Sequence, residues 1–472
     1  MDNKDFEIIL ISHTEHSTML DPSSVPKGEV NNALKLWNLL TSNGYQVANI
    51  QDYHELFGIH SMEDENAQVL ESLKKLNIDL AIAGEEMIEE SNTPCIQSFL
   101  EKISKRTDPT KETILFLLTW HINSLPVIAT GIHHRFPLVG KSYCNFPGEY
   151  TYSGFPYLEC YQGPDLLICE SLLAAIEGIR VGLPPWKFMY LPHISPPEAV
   201  KILALPDEEK ASYKERYIQQ LAQDNKKDIH YDEDTVVIGY PVRFARRKNV
   251  EMLIEAVSEL RKSYPNLLLV LKGDYDPEGD FRVQYSDKLS MLMRAAEKEP
   301  WFLWDRSFTP YPEVLRIFSC FDICAYISGA ESGNNTIIEV ASLGVPCIVL
   351  NASTCPYMYK DMACFVEAGN QILGVWIYQQ PDLKDLKEKL AHFIKSPEER
   401  RQFGEKARQI AAERYGAHKT FDRMSLLLEA VHSLHHKDQD FEKYKNLLLE
   451  QLHDDLMEYG LDPTEILHGS SS

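Results

Sequence analysis

Four cations fall within six residues at Arg243, Arg246, Arg247 and Lys248, in a chain whose acidic side chains outnumber its basic ones by 70 to 47. They follow the apolar run Val236–Tyr240 and precede a stretch of helical periodicity that starts at Val250. They therefore stand between the carboxyl end of a strand and the amino end of a helix. The partial positive charge and open amides of that helix start add to the four side chains, and together they suit a diphosphate. Most charge clusters are solvated surface. Position at a strand end is what favours a site here.

A second constellation is Gly329-Ala330-Glu331-Ser332-Gly333-Asn334-Asn335-Thr336, which runs into the helical stretch Ile337–Leu343 and then Gly344-Val345-Pro346. Gly333 relieves the backbone where a ligand would approach. Asn335 or Thr336 is placed to cap the helix, leaving other first-turn amides for phosphate oxygens. Glu331 and Glu339 could bracket a ligand rich in hydroxyls through charge-assisted hydrogen bonds. The alternative is a turn residue and a surface helix residue. Between the two constellations lies Leu269-Val270-Leu271-Lys272-Gly273-Asp274, a strand that ends on a cation and a glycine.

The elements that would position these residues form two βαβ series. The first has strand-like runs at Phe6–Ser12, Tyr45–Ile50, Ile78–Ala83, Thr113–Trp120, Phe136–Lys141 and Leu166–Glu170, with a helix over Val30–Leu40. The second has strands at Val236–Tyr240, Leu267–Lys272, Trp301–Leu303, Ile323–Ser328 and Cys347–Leu350. Continuous rather than alternating apolar runs suit strands covered on both faces. The prediction is an α/β chain with two doubly wound domains, at 1–195 and 235–435, joined by a connection at 196–234. Residues 436–472 read as an amphipathic helix and tail that packs back on the body or against another subunit, a possible route to a homo-oligomer.

Length and composition agree with this. A chain of 472 residues suits two to three domains, and 44% hydrophobic with 25% charged residues describes a globular protein. The net charge of −23 is uneven, −16 over residues 1–234 and −7 over 235–472, and it disfavours nucleic acid and anionic membrane as partners. The longest apolar run, Ile114–Trp120, is too short to span a bilayer, and the first residues lack a signal-peptide pattern. Nine cysteines without a Cys-x-x-Cys pair fit buried thiols in a reducing cytoplasm. Asp274-Tyr275-Asp276 and His13-Thr14-Glu15-His16 spell metal-binding patterns, but the first ends a doubly wound strand and the second lacks a third ligand; no metal site is expected.

Taken in order, Arg243-x4-Lys248, the strand ending Lys272-Gly273-Asp274, and Glu331-x7-Glu339 followed by Gly344-x-Pro346 resemble the donor-binding half of the retaining GT-B glycosyltransferases of the large group 1 (family 4-like) set. The resemblance is strong over residues 235–435. It is weaker over 1–195, where Lys27-Gly28-Glu29 is similar to that family's glycine loop and Pro164–Ser171 to a late strand of its first domain. It implies a GT-B fold of two Rossmann-like domains facing a central cleft, and a hexosyltransferase that moves a sugar from a nucleoside-diphosphate sugar to a hydroxyl.

The resemblance also implies roles. Arg243 and Lys248 would neutralise the leaving diphosphate, and Glu331 would hold hydroxyls of the transferred sugar. Glu339 would bind the ribose, Gly28 and the Gly333, Asn334, Asn335 and Thr336 stretch would contact phosphate or sugar, and Lys272, Gly273 and Arg306 would lie near the nucleotide. The nucleotide is held without metal or cofactor in that family. GDP-mannose, UDP-glucose and UDP-N-acetylglucosamine are its commonest donors. Relatives often place a histidine opposite the anomeric carbon; here Phe136–Lys141 is followed by no histidine, and the acceptor-side candidates are His13, His16, His121, His133 and His134. The acidic first half favours a soluble acceptor, whether a small molecule, a glycan or a protein. A nucleotide-sugar epimerase, a phosphorylase and a catalytically degenerate donor-binding subunit are the alternatives with the same fold.

Overall fold

The computed structural model describes residues 6–12, 36, 38–52, 111–117, 132–142, 161–274, 284–311, 313–331, 333–372 and 378–467. The chain forms two compact units, Met1–Pro192 with Ala417–Ser472, and His193–Gly416. The expected strand at Ile78–Ala83 and the glycine loop with Gly28 lie outside the described residues, as do His13, His16 and His121.

In the first unit, β1 (Phe6–Ser12), β2 (Gln46–Asp52), β3 (Glu112–Leu117), β4 (Leu138–Ser142), β5 (Leu166–Cys169) and β6 (Phe188–Tyr190) pair in the order β2-β1-β3-β4-β5-β6. Every pairing is parallel. Helix α1 (Leu172–Arg180) follows β5, its first turn capped by Ser171, whose hydroxyl accepts from the Ala174 amide at 3.3 Å. β6 was not expected from the sequence, because three residues are too few to show a period.

The second unit opens on a short helix over Glu198–Leu203, followed by α2 (Asp207–Asp224). Its sheet contains β7 (Val236–Pro241), β8 (Leu267–Lys272), β9 (Phe302–Asp305), β10 (Ile323–Tyr326), β11 (Cys347–Leu350) and β12 (Ala363–Val366), ordered β12-β11-β10-β7-β8-β9 and parallel throughout. Every residue of β7, β8, β9, β10 and β11 is buried, which explains their unbroken apolar runs. Helix α3 (Val250–Leu260) follows β7 and α4 (Asn335–Ser342) follows β10. A short antiparallel pair, β13 (Ala368–Ile372) and β14 (Tyr378–Pro381), follows, and helices over Leu383–Lys395 and Pro397–Arg414 end the unit. The chain starts at the centre of this sheet, builds outward over β8 and β9, then returns to lay β10 on the other side of β7. Strand order reverses between β7 and β10.

After Gly416 the chain rejoins the first unit with α5 (Ala417–His436) and α6 (Phe441–Glu458). Met424, Leu427, Leu428, Val431 and Leu434 of α5 share a core with Ile8, Leu10, Ile114 and Phe116 of β1 and β3. The expected boundary at 435 is therefore corrected to 416, since the apolar face of α5 is buried on the first unit's strands. The 196–234 connection is also corrected. Ala199, Ile202, Ile218, Leu221 and Ala222 lie in the second unit's core, so α2 is part of that unit.

The apolar stripe of the terminal helix is likewise consumed within its own unit. Leu452, Leu456 and Tyr459 pack with Leu167, Phe188 and Tyr190, and Leu448 joins the α5 side. Each such leucine contributes about 1.5–3 kcal/mol by leaving water. Among the described residues no helix is long and apolar enough to cross a membrane.

Candidate donor site

Ligands of doubly wound sheets sit beyond the carboxyl ends of the strands where strand order reverses. In the second unit that point is flanked by the loop after β7, which carries Arg243–Lys248, and the segment after β10, which carries Gly329, Ala330, Glu331, Gly333 and Asn334. The two constellations found separately in the sequence are thus adjacent in space.

Arg243 and Arg246 are exposed, Arg247 is half-buried, and Lys248 is buried. Lys248 Nζ contacts Glu331 Oε1 directly and donates to the Tyr326 hydroxyl at 3.0 Å. That hydroxyl in turn donates to Glu331 Oε1 at 3.1 Å and accepts from the Asn334 side-chain amide. Burial acts to raise the Glu331 carboxyl, but Lys248 and Arg247 together hold it below the ordinary glutamate value. Burial lowers the Lys248 ammonium against the opposing pull of Glu331, with Arg247 and Arg243 adding to the fall. Burial and the nearby Glu331 carboxylate keep Tyr326 far above its usual value, so it remains a proton donor. The result is a pre-oriented cation, carboxylate and phenol at one strand edge.

Backbone contacts fix this group. Asn249, held at a positive φ of 52°, sends its side-chain amide to the Ile327 and Gln379 carbonyls, each at 2.9 Å. The Gly329 amide donates to the Arg247 carbonyl at 2.7 Å, which joins the β7 loop to the β10 loop. A Cβ on Gly329 would lie 2.0 Å from the Gln379 carbonyl oxygen, so only glycine allows this approach. The Glu331 carbonyl accepts from the Ser353 hydroxyl at 2.6 Å and the Thr354 hydroxyl at 3.2 Å. Tyr359 brackets the Asn334 backbone, accepting from its amide at 3.0 Å and donating to its carbonyl at 3.1 Å.

The family description "Glycosyl transferases group 1" matches residues 222–410, the span that carries this site. These residues are a group 1 glycosyl transferase domain. A curated relative, the alpha-monoglucosyldiacylglycerol synthase of Acholeplasma laidlawii, is 26% identical over 190 residues; the match spans 40% of this chain and 42% of that protein's length. Solved structures cover more of the chain. HepE of Anabaena in complex with UDP-glucose superposes with a TM-score of 0.58 at 15% identity, over 90% of this chain and 99% of that one. Sucrose-phosphate synthase of Thermosynechococcus elongatus gives 0.58 at 14%, over 90% and 99%. A trehalose-phosphate synthase of Burkholderia xenovorans with glucose-6-phosphate gives 0.60 at 10%, over 90% and 100%. These likenesses establish the GT-B fold.

Other residues of the group 1 domain depart from the sequence reading in detail. The cap of α4 is Asn334, whose side chain accepts from the Thr336 amide at 2.8 Å, one residue before the expected cap. The Thr336 amide is therefore already satisfied. Lys272 spends its ammonium on the Ser307 carbonyl at 2.6 Å, the Thr309 and Ser307 hydroxyls at 3.0 and 3.1 Å, and Asp305 at 3.2 Å. It clamps the segment after β9 and so positions Arg306. Arg306 stacks over Trp304 at 4.4 Å and pairs with Asp274 at 2.8 Å, which engages the first aspartate of the Asp-x-Asp pattern. Glu339 is buried and accepts from the Tyr311 hydroxyl at 3.2 Å.

His133 and His134 lie in a single 3-10 turn before β4, at the amino end of the first unit's sheet. That is the edge opposite to where ligands of such sheets bind, and burial together with His134 lowers His133 to about 4. Both therefore lie away from the carboxyl edge of that sheet. At the carboxyl edge of the same sheet the described residues instead bring together a buried ion pair, Lys141 and Glu170. The sequence reading also missed Tyr326 and Asn249. Tyr326 carried one usable signal, a hydroxyl at the carboxyl end of a strand beside the switch point.

Proposed function

We propose that the chain is a retaining glycosyltransferase using a nucleoside-diphosphate sugar. The observation that carries this is the Lys248–Glu331–Tyr326 group at the β7/β10 switch point of a group 1 domain. Arg243 and Lys248 receive the diphosphate, Glu331 accepts hydroxyl hydrogen bonds from the sugar, and Glu339 does so from the ribose. The bond from the anomeric carbon to the diphosphate oxygen breaks with its electron pair going to that oxygen. The acceptor hydroxyl oxygen bonds to the same face of the carbon, and its proton passes to the departing phosphate. The chain's own cations stabilise the leaving group, with Asp274 occupied by Arg306, so the reading requires no metal.

A UDP-linked glucose leads the donor candidates, because HepE is named in complex with UDP-glucose and the Acholeplasma relative is named for a glucosyl product. GDP-mannose and UDP-N-acetylglucosamine follow. The acceptor is proposed to be soluble, on the strength of the −23 net charge, and the site of action cytoplasmic. The test is sugar transfer from this donor panel to a mixed acceptor library, with the product anomer read by NMR. Folded Lys248→Ala and Glu331→Gln variants that transfer as fast as the parent would sink the proposal.

A further inference from the structure

The amino-terminal edge of the first unit's sheet carries a side-chain group that the donor site does not use. β3 opens at Glu112, and the last turns of α5 set His432 and His436 over it. His432 Nδ1 contacts Glu112 Oε2, and His436 Nε2 lies 2.6 Å from Glu112 Oε1. The two imidazole centroids are 4.8 Å apart with planes inclined at 59°. One ligand-capable atom from each of the three residues falls within 4.8 Å of the others.

We propose that Glu112, His432 and His436 bind a divalent transition-metal ion of the zinc type. Two imidazoles and one carboxylate suit Zn(II), whereas magnesium and calcium require oxygen ligands. Donors about 2.0–2.2 Å from a tetrahedral ion stand roughly 3.3–3.6 Å apart, so the ion would enter by side-chain rotations that open the two direct Glu112 contacts and set the three donor atoms at that spacing. Histidines four apart share one helix face, which is how a single helix supplies two ligands. The site also lies at the carboxyl end of a 20-residue helix, where the backbone dipole favours a cation. His436 is half exposed, at 49%, so the fourth position opens to water.

Glu112 and His432 are 320 residues apart in the chain, and α5 is the first element after the second unit. The ion would pin the returning chain to β3 and so stabilise the first unit. None of this depends on the donor-site reading.

The test uses the full chain, stripped with a chelator and titrated with ZnCl2 in the absence of nucleotides, followed by calorimetry and thermal melting. The expected result is one tight equivalent per chain with a raised melting temperature, and none with MgCl2. His436→Ala, at a half-exposed position that should not affect folding, and Glu112→Gln should each bind about 100-fold more weakly or worse. His453→Ala, outside the cluster, should bind as the parent does. A parent that takes up no Zn(II), or a folded His436→Ala variant that binds as tightly as the parent, overturns the proposal.

Discussion

Lys248 and Glu331 form a direct ion pair although 83 residues separate them, and their side chains are only 8% and 9% exposed. The two loops that the sequence assigns to diphosphate and to sugar are therefore locked together by the residues meant to act on each. A buried pair of this kind costs desolvation on both sides, and losing one partner leaves an uncompensated charge.

For that reason Lys248→Met should lose about 3–5 kcal/mol of stability as well as activity. Glu331→Gln keeps the side chain's shape and a hydrogen-bond acceptor, so it should cost less stability. Arg243→Ala, at an exposed position, should leave the melting temperature within a degree or two while lowering transfer. Chemical denaturation of the three variants and of the Lys248→Met/Glu331→Gln double variant checks this. A coupling energy near zero in that cycle would contradict the pair's role.

Gly273→Ala should be severe. Gly273 has a φ of 140°, and a Cβ there would lie 2.1 Å from the Val242 carbonyl oxygen. The strain and the overlap together predict a loss of about 2–5 kcal/mol. Movement of Val242 would also displace Arg243, so donor affinity should fall in parallel. Urea melts and nucleotide titration on one preparation measure both.

A second buried pair, Arg423 on α5 and Asp455 on α6, tests how the returning helices are held. Burial pushes the Asp455 carboxyl up to about 6 despite Arg423. Asp455→Ala should cost about 3–5 kcal/mol, whereas the Arg423→Met/Asp455→Leu double variant should be near neutral or more stable than the parent. Equilibrium unfolding distinguishes the outcomes.

Lys187 supplies a pH dependence. Its ammonium is buried, which lowers it to about 8, and it donates to the Gln162 carbonyl at 2.7 Å. With the folded value below the unfolded one, the folded state binds this proton less well. Its contribution is least below pH 8 and rises between about pH 8 and 10.5. Lys187→Met should therefore be more stable than the parent at pH 7, on the order of 1–3 kcal/mol, and the difference should shrink as pH rises through that window. Paired unfolding curves from pH 7 to 10 show whether it does.

Much of the fold was legible in the sequence because parallel strands buried on both faces write unbroken apolar runs, as in Val236–Pro241 and Leu267–Lys272. The order of loops then located the donor site, since Arg243–Lys248 and Gly329–Thr336 both follow such runs. Three kinds of feature stayed hidden. The short β6 and the β13–β14 pair have too few residues for a period. Domain membership of α2 and α5 depends on which core takes their apolar faces, and helical periodicity is silent on that. Contacts such as Lys248–Tyr326, Asn249–Gln379 and Glu112–His436 join residues that are distant in the chain, so no spacing records them.

The central claim, that the switch point between β7 and β10 holds a nucleoside-diphosphate sugar, is tested most directly by calorimetric titration of UDP-glucose, GDP-mannose and UDP-N-acetylglucosamine into the parent and the Arg243→Ala variant. The parent should bind at least one donor at a single site, and Arg243→Ala should bind that donor about 10–100-fold more weakly, as loss of a charge-assisted contact to phosphate requires. A parent that binds none of the three, or an Arg243→Ala variant with unchanged affinity, would contradict that claim.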